Sequence, residues 1–468
     1  PLIGVSIKVK GDNAGTITNI DGDYQIEVPQ NATLVFSYVG FAALEIPVSG
    51  KATINVTMQE DSYGLEEVVV IGYGAVRKKD LTGSVAAVRG EDLAVKKTTT
   101  LSNALQGSVA GVMVRRDSNA PGASASSIRI RGITTIGNSD PLVIIDGVPG
   151  TLDYVNPNDV ENISVLKDAA SASIYGSRAA AGVIVVTTKR ASETDLNFSY
   201  TGEFGLEIPT TQPGVVGVTR YLEMSNELRY NDTPAGGFFQ AFSADQVKNW
   251  MNYNRTDPNN YPVTDWRDLI LKSSAPRQSH SVHISGGNKS VRSKASLTYD
   301  DVDGLYGDRY FQRYMLRVNN DFTINKFLGA KVDINIRRAK NHTPNYSPFK
   351  TMRNMPAIYA ATWDDGRIAE GKSGGNPYGL LTMGGSNDAW STQLGGKASL
   401  EFKPFAGLNI EASVAPFINY KKTKEFKRQA YYTLANDPNA FGGYLDEGGT
   451  RWETNKLTEK RSEDYNVT

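Results

Sequence analysis

Residues 62–83 read SYGLEEVVVIGYGAVRKKDLTG and separate a short β-rich segment from the rest of the chain. Within this stretch, the run VVVI at residues 68–71 is β-branched throughout, which favours an extended backbone. Because glycines follow the run and charged residues flank it, four such residues cannot bury themselves as an independent element. Two interpretations stay open: the run joins a sheet of this chain, or it offers its backbone edge to another protein.

Length and composition limit what the chain can be. Its 468 residues are too many for one ordinary domain and predict two or three. Lys plus Arg and Asp plus Glu number 50 each, so the formal net charge is zero and nothing in the composition supports a nucleic-acid partner. The absence of Cys excludes disulfides, thiolate metal sites and cysteine catalysis. The 45 Gly and 23 Tyr favour turn-rich β structure over helices.

Residues 1–60 form the first predicted domain, a small β-sandwich. Apolar and polar residues alternate from Val5 to Val9, as in a half-buried strand. Asp21 and Asp23 lie in a turn, but the spacing lacks the later ligands of a calcium loop, so we interpret the pair as a plain hairpin turn. Further strands are predicted at residues 25–29, 34–41 and 54–58.

Residues 81–190 change in character and predict a compact mixed α/β domain. Leu101, Leu105 and Val109 recur at helical spacing, and Gly111 ends that segment. Several short apolar runs that follow each end at a glycine, as strands do before a turn. The apolar run at residues 183–188 closes the domain as a buried strand.

This α/β domain contains charged residues among its predicted elements, but they do not form a catalytic set. The only three His lie far downstream, and no Ser/His/Asp set or metal-ligand spacing emerges. Arg129 and Arg131 are either structural charges, paired or solvated, or contacts for a substrate. We therefore predict no enzyme, no metal and no cofactor, and we name both arginines as candidate substrate contacts. The other charged residues among these elements are Asp146 and Asp168.

From residue 191 onwards, the dominant pattern is the alternation of apolar and polar residues. Leu196, Phe198 and Tyr200 share one parity, and the polar residues between them share the other. The pattern recurs in roughly seven segments, always with one apolar face and one polar or charged face. Short turns at residues 286–290, 325–327 and 403–407 alternate with longer connections at residues 209–274, 301–308 and 342–391.

An up-and-down sheet with tight turns at one end and long loops at the other is typical of an outer-membrane barrel, with the short turns in the periplasm. Charged residues in the middle of strands fit a polar lumen better than a dry core. About seven strands cannot close the roughly 22-stranded barrel of a plugged transporter. We therefore expect a chain that is cut inside the barrel, as the N-terminal part of a longer protein. We also expect a trimmed N-terminus, because residues 1–5 (PLIGV) open directly in a strand.

The long connections carry possible binding residues. Residues 220–228 and 243–254 have helical spacing, which predicts a folded first loop. Aromatic side chains in the second loop either stack on sugar rings and partners or pack against the loop itself. We name Tyr359 and Trp363 as candidate substrate contacts. The full aromatic set is Tyr346, Tyr359, Trp363, Tyr378 and Trp390.

Several of these stretches resemble one family. LEEVVVIGYGAVRKKDLTGSV resembles the TonB box and plug entry of TonB-dependent outer-membrane transporters, in the SusC/RagA-like branch. LSNALQGSVAGVMV, SIRIRGITTIGNSDPLVIIDGVP and VENISVLKDAASASIYGSRAAAGVIVVTTK resemble the plug of those transporters. PLIGVSIKVKG, GTITNIDGDYQIEVP and LVFSYVGF resemble the carboxypeptidase-regulatory-like, transthyretin-type domain that precedes the plug in many of them.

The resemblance implies a mainly β chain in four parts. These are a small transthyretin-like β-sandwich at residues 1–60, a TonB-box linker at 61–80, a mixed α/β plug domain at 81–190, and at 191–468 the first strands of an incomplete transmembrane antiparallel β-barrel. It also implies that a periplasmic TonB protein binds the linker by adding a strand. The implied TonB-binding residues are Glu66, Glu67, Val68, Val69, Val70 and Ile71.

The same resemblance implies active import of an oligosaccharide or a peptide across the outer membrane, with a SusD-like lipoprotein as lid. The plug and the N-terminal domain would then face the periplasm. A surface-exposed β-rich adhesion protein is the alternative, because the sandwich and the repeated strands would be ordinary modules there. The residues do not identify the cargo, since lumen-facing polar side chains accept sugars and peptides alike.

Overall fold

The structure is a computed structural model of the chain. It divides into two compact units, Pro1–Thr82 and Gly83–Thr468. No helix among the described residues is both long and apolar enough to cross a membrane. The structure describes residues 2–10, 14–38, 41–58, 68–71, 74–77, 85–122, 126–133, 139–210, 214–445 and 453–467.

The first unit contains an antiparallel sheet of β1 (Ser6–Val9), β2 (Gly15–Ile17), β3 (Thr33–Tyr38) and β4 (Phe41–Pro47) in the order β2-β1-β3-β4. Alternation along β1 and β3 places Ile7, Leu34 and Phe36 in one buried core. The ring of Tyr24 packs edge-on against Phe36 with 5.5 Å between centroids, and its hydroxyl donates to the carbonyl of Ile54 at 2.9 Å.

Two predicted strands of the first unit carry no strand pairing. Residues 25–29 and 54–58 keep the predicted alternation, and Ile26, Val56 and Met58 pack against the same core. The prediction of burial is therefore confirmed and the prediction of strand pairing is wrong. Apolar alternation reports which side of a segment is buried, and it does not report whether the backbone pairs with a neighbour.

The β-branched run of the linker forms a hairpin of its own. β5 (Val68–Ile71) pairs antiparallel with β6 (Gly74–Arg77), and Val69 lies opposite Val76. Backbone pairing within the chain therefore occupies one edge of β5. Glu66 and Glu67, the first two residues of the expected TonB-binding segment, lie outside the described residues.

The second unit begins with a domain of mixed α/β structure, which we call the inner domain and define as residues 85–190. Its strands are β7 (Val85–Arg89), β8 (Val112–Arg116), β9 (Ser126–Ile130), β10 (Leu142–Ile145), β11 (Val148–Pro149), β12 (Val160–Leu166) and β13 (Val183–Thr188). Its helices are α1 (Gly90–Ala94), α2 (Leu101–Ala104) and α3 (Ala169–Ala172), with 3-10 turns at Leu152–Tyr154, Pro157–Asp159 and Ser173–Ala179.

The inner domain is built on a five-stranded sheet in the order β11-β10-β13-β12-β7. β10 and β13 are parallel, and β12 pairs antiparallel with both β13 and β7. Fully buried Val160, Ile163 and Ile184 form its core together with Leu101 and Leu105, the two leucines predicted at helical spacing. The mixed α/β prediction is thus confirmed, although the helix ends at Ala104.

The remainder of the second unit is one antiparallel sheet, which we call the wall. Its strands follow one another in sequence and in space, and Leu316 on the fourth strand lies opposite Leu297 and Ile336 on its neighbours. They are β14 (Asn197–Glu207), β15 (Ala275–Gly287), β16 (Val291–Asp303), β17 (Tyr310–Thr323), β18 (Leu328–Pro344), β19 (Gly385–Phe402), β20 (Ile410–Lys427) and, after the hairpin of β21 (Tyr431–Leu434) and β22 (Asp437–Tyr444), β23 (Thr454–Val467).

Short and long connections alternate along the wall, as predicted. Residues 288–290, 324–327 and 403–409 form the short turns at one end. The longer connections at the other end contain α4 (Val218–Asp232), α5 (Ala244–Asn254), α6 (Trp266–Ile270), α7 (Phe349–Asn354) and α8 (Pro377–Met383). We call the connections at residues 208–274 and 345–384, together with the β21–β22 hairpin, the cap.

The wall buries its polar face and exposes its apolar face, which is the reverse of a sheet in a water-soluble protein. Polar residues of one parity face the inner domain, and Arg313 and Asn319 are 1% and 2% exposed. Apolar residues of the other parity face outwards, and Phe204, Leu297 and Leu400 are 78%, 51% and 56% exposed. Charged residues are almost never fully buried unless they are paired, so this face requires polar partners on the inner domain.

The architecture confirms the predicted fold class, a mainly β chain with a small β-domain, a mixed α/β domain and the consecutive antiparallel strands of a barrel wall. The last strand of the wall in the described chain is β23, which pairs antiparallel with β20. Among the described residues, β14 and β23 are the edges of the wall and do not pair with each other.

Gly90→Ala should weaken the contact between α1 and β12. A Cβ at residue 90 would lie 1.8 Å from the carbonyl oxygen of Val160, which is backbone and cannot rotate away. We expect a local loss of about 1–3 kcal/mol, seen as faster amide hydrogen exchange in β7 of the complete protein. Gly214→Ala is the control, because nothing lies within 4 Å of its added Cβ. Equal exchange in the two variants would contradict this prediction.

Candidate functional site between the inner domain and the wall

Arg190 connects the end of the inner domain to two strands of the wall. It follows β13 directly, and its guanidinium contacts Asp321 on β17 at 3.0 Å and Asp333 on β18 at 2.5 Å. Desolvation by itself would lower the pKa of Arg190, but the carboxylates of Asp333 and Asp321 raise it overall. Arg190 is therefore a permanent cation between two inward-facing carboxylates.

Asp146 is a second point of attachment, at the turn between β10 and β11. Its carboxylate accepts hydrogen bonds from the backbone N–H and the hydroxyl of Thr188, at 2.9 and 2.8 Å, and from Arg317 of β17 at 3.3 Å. Its carbonyl accepts from Lys397 of β19 at 3.2 Å. Asp146 has a left-handed φ of 49°, a conformation that Asp tolerates better than most residues, and these contacts hold it there.

A further group of polar contacts joins the segment before β12 to β15 and β16 of the wall. Asp159 accepts a hydrogen bond from the hydroxyl of Ser296 at 2.9 Å, and its other oxygen lies 3.5 Å from Nδ1 of His283. Asn156 donates to the hydroxyl of Thr298 at 3.1 Å. Both residues belong to the inner domain and both are buried.

Arg313 belongs to the wall and donates hydrogen bonds to the inner domain. Its guanidinium donates to Asp300 on β16 at 2.9 and 2.7 Å. The same group also donates to the backbone carbonyls of Thr99 and Asp153 in the inner domain. A wall arginine thus satisfies inner-domain carbonyls that are covered from water.

The contact surface is mainly polar, which decides what it can do. In a folding or docking step, hydrogen bonds and ion pairs replace bonds to water, so each contributes a net stabilisation of only about 0.5–1.5 kcal/mol. If water enters the contact, it can take over most of the same donors and acceptors. The inner domain is therefore firmly held but can separate from the wall without exposing a large apolar surface.

The candidate residues Arg129 and Arg131 both make ion pairs inside the inner domain. Arg129 pairs with Asp140 and donates to the carbonyl of Ile128 at 2.8 Å. Arg131 pairs with Asp168 and donates to the carbonyl of Lys167 at 3.3 Å. These pairs match the structural interpretation of the two arginines, and their role as substrate contacts stays a prediction.

The candidate aromatic residues lie in the cap, away from the contacts of both arginines. Tyr359 packs beside a buried cluster that includes Trp266 and Met352, and burial raises its pKa. The indole N–H of Trp363 donates to the carbonyl of Thr433 in the β21–β22 hairpin at 2.7 Å. Both aromatics support the packing of the cap, and a contact with substrate stays a prediction for them as well.

Sequence reasoning missed the residues that join the inner domain to the wall. Asp146 stood out only as a charge among ordered elements, and Arg190 was not singled out. A signal was present in the inward parity of the wall, where Arg317 and Asp321 on β17 and Asp333 on β18 are charged. Opposite charges at inward positions predict polar partners inside the sheet, but they do not identify those partners.

Comparison with protein families places two matches on this architecture. A family described as TonB-dependent Receptor Plug Domain matches residues 77–183. A family described as CarboxypepD_reg-like domain matches residues 1–70. The first covers most of the inner domain and the second covers the first unit up to β5.

Two curated relatives match over much of the chain. The chain is 35% identical over 458 residues to TonB-dependent receptor P26 of Formosa agariphila, which covers 96% of the chain and 44% of that protein. It is 36% identical over 331 residues to TonB-dependent receptor SusC of Bacteroides thetaiotaomicron, which covers 68% of the chain and 30% of that protein. The chain spans less than half of the length of either relative.

Solved structures of the RagAB peptide transporter have a similar fold. One of them aligns with a TM-score of 0.61 at 26% identity and covers 76% of this chain and 43% of that chain. A structure of the RagAB peptide importer in the closed-closed state aligns with a TM-score of 0.64 at 22% identity and covers 83% of this chain and 52% of that chain. The second likeness concerns the fold alone.

Arg190→Gln should loosen the inner domain. It leaves Asp321 and Asp333 facing each other without a cation, and loss of one partner from a buried pair costs about 3–5 kcal/mol. We expect faster hydrogen exchange in β13 of the complete protein. The triple variant R190Q/D321N/D333N removes all three charges and should recover most of the protection. Arg220→Gln, which breaks exposed pairs on α4, is the control and should change nothing measurable. A triple variant as labile as R190Q would refute the charge argument.

Asn376→Ala should unfold part of the cap. The buried Asn376 side chain accepts from the backbone N–H groups of Tyr378 and Gly379 and donates to the carbonyls of Ala361 and Ala369, all within 3.0 Å. Loss of this helix cap and of both carbonyl partners should cost about 2–4 kcal/mol. Limited proteolysis at residues 345–384 measures the effect. Asn231→Ala, at an exposed site of α4 in the cap, should be cleaved little faster than the wild type.

Proposed function

The chain belongs to the SusC/RagA-like TonB-dependent receptors, and from this premise we propose that it serves TonB-driven import of a nutrient across the outer membrane. The nutrient we propose is an oligosaccharide or a peptide. The observation that carries the proposal is the reversed burial of the wall, with its apolar face outwards and its charged face on the inner domain. A lipid environment outside and a removable polar domain inside both require this arrangement.

The polar contact between the inner domain and the wall supports a transport cycle. An importer must hold its inner domain against the wall at rest and release it when the substrate passes. Contacts such as Arg190 with Asp321 and Asp333 provide the hold. Water can replace their partners once the inner domain begins to move, so release does not require a large apolar surface to be exposed.

In this proposal the energy enters through β5. A periplasmic TonB protein adds a strand to Val68–Ile71, and main-chain pairing explains why an ordinary β-branched run is sufficient. In an antiparallel pair, alternate residues point their N–H and C=O groups to the partner strand, and the others point away from it. TonB therefore either adds to the free edge of the β5–β6 hairpin or displaces β6.

The pull would reach the inner domain first at β7. This strand begins at Val85, it is the edge of the five-stranded sheet, and among the described residues β12 is its only partner strand. An edge strand can leave a sheet while the strands behind it stay paired. We propose that removal of β7 is the first step of release, and that the polar contacts of Arg190 and Asp146 hold the rest of the inner domain on the wall until water replaces their partners.

The proposed orientation follows the two ends of the wall. The short turns lie towards the periplasm and the cap lies outside the cell, as is usual for outer-membrane barrels. A SusD-like lipoprotein would close over the cap as a lid. The alternative of a secreted adhesion protein fits the wall less well, because a water-soluble protein rarely exposes a continuous apolar face of this kind.

Val69→Pro should abolish uptake and leave substrate binding at the cell surface unchanged. Proline removes one backbone donor and disfavours a paired strand, so the added TonB strand is lost. The measurement compares uptake of labelled substrate with its surface binding at low temperature in cells that express the complete receptor. Unchanged uptake by V69P would count heavily against the proposal.

Val76→Pro distinguishes the two modes of TonB binding. It disturbs β6 and leaves β5 intact. If TonB displaces β6, V76P should import at least as well as the wild type. If TonB adds to an intact hairpin, V76P should import less, because β6 no longer holds β5 in place for the added strand.

A further inference from the structure

The outward face of the wall carries an aromatic row that marks one boundary of an apolar band. The rings of Tyr200, His280, Tyr299 and Tyr314 follow one another across β14 to β17, with 6.1, 6.5 and 4.8 Å between neighbouring centroids. Rings with polar atoms at such a boundary are typical of a membrane interface. Arg338 continues the same register on β18.

Outward residues of β16 to β18 differ on the two sides of this row. Towards the cap they are polar, as at Asp301, Gln312 and Lys340, although β14 carries Phe204 and Leu206 there. Towards the short turns they are mainly apolar, apart from the hydrogen-bonded pair Ser293 and Asn320. The row next to the aromatic one consists of Leu297, Leu316, Ile336 and Leu394. The band therefore begins at the aromatic row and extends to the short turns.

The height of this band matches a membrane. β18 runs from Arg338 down to Leu328, and the turn before it contains Lys326. At about 3.3 Å per residue and a tilt of about 40°, the distance from Arg338 to Leu328 along the barrel axis is about 25 Å. The apolar band of an outer-membrane barrel has about this height, which puts Lys326 in the adjoining turn at the level of lipid headgroups.

A cleft lies at that level between two neighbouring short turns, at residues 324–327 and 403–409. Its volume is about 590 Å³, and the backbone N–H of Lys403 donates to the carbonyl of Phe327 at 2.7 Å, which joins the turns. Phe327 and Phe405 line the cleft and are 42% and 67% exposed. The cleft opens beside Phe402 and Ile410, two exposed residues of the outward apolar face.

The cleft is positively charged. Its lining contains Lys326 and Lys403 and, among the described residues, no carboxylate. The nearby Glu401 is shared between Lys403, at 3.0 Å, and Lys331. One carboxylate thus contacts two amines, and Lys326 is not among the ion pairs of Glu401. The amine of Lys326 lies 4.7 Å from the ring centroid of Phe327, which places a cation on the aromatic wall of the cleft.

We propose that this cleft binds the headgroup of an anionic phospholipid. The phosphate lies between Lys326 and Lys403, and the acyl chains continue over Phe402 and Ile410. A free phosphate would use the lysines alone, whereas the exposed phenylalanines and the adjoining apolar face require a ligand with a hydrocarbon part. The inference rests on the proposed function only in that the wall is surrounded by lipid.

The test uses the complete receptor, freed of lipid in detergent and titrated with palmitoyl-oleoyl phosphatidylglycerol or with phosphatidylcholine of the same chains. Native mass spectrometry counts the lipids retained. The wild type should retain phosphatidylglycerol in preference to phosphatidylcholine. Lys326→Gln with Lys403→Gln should weaken that retention about 25-fold, because each lysine at an anionic headgroup contributes about fivefold.

Lys422→Gln with Lys424→Gln is the control matched in charge, on β20 beyond the aromatic row. It should keep the wild-type preference. Equal losses in both double variants, an unchanged preference in K326Q/K403Q, or no preference in the wild type would each overturn the proposal. The uptake assay on V69P is independent of lipid retention, so a receptor that imports but shows no lipid preference would refute the cleft and leave the import proposal in place.

Discussion

The inner domain buries the charged face of the wall, and each buried charge needs an oppositely charged or hydrogen-bonding partner. The rest of the second unit depends on this requirement. Arg313 is almost fully buried and donates both to Asp300 and to carbonyls of the inner domain. Without these acceptors its burial would cost several kcal/mol. The inner domain thus stabilises the wall by supplying acceptors for its buried donors. The wall in turn supplies donors to carbonyls that the inner domain leaves unpaired.

The same requirement explains how a domain can be held and still move. Apolar contacts would bind the inner domain by excluding water, and separation would expose that surface again. Polar contacts exchange one partner for another, and the net gain of each is small. Arg190 and Asp146 lie in the C-terminal half of the inner domain, whereas β7 is its N-terminal edge strand. These two attachments are therefore separated along the chain from the proposed point of force, while Arg313 attaches nearer to it, at Thr99.

The cap shows that residue type alone does not identify a binding site. Tyr359 and Trp363 have the chemistry to stack on a sugar, and the same rings and N–H group serve to pack one connection on another. Asn376, an ordinary polar residue in the sequence, holds two parts of its connection together from a buried position. A large loop needs its own small core before it can present anything to a ligand.

Much of the fold could be read from local patterns. The alternation of Leu196, Phe198 and Tyr200, and its recurrence, predicted the wall, since a period of two belongs to each strand by itself. Helical spacing predicted α4 and α5, and glycines predicted the ends of strands in the inner domain. The pattern failed at residues 54–58, where burial is alternating but the backbone is not paired, because side-chain periodicity carries no information about a neighbouring strand.

The sequence by itself determined which side of each strand is polar, where the chain turns and which family motifs it carries, because all of these depend on residues that are close together in the chain. Only the tertiary structure decided that Arg190 lies between Asp321 and Asp333, that Asp146 meets Arg317, and that Arg129 and Arg131 are paired within the inner domain. The first two contacts depend on how a packed domain sits against a sheet, and the energy of an ion pair falls steeply with distance and exposure. A local pattern shows that a charge faces inwards, but only the three-dimensional arrangement brings a particular partner within bonding distance.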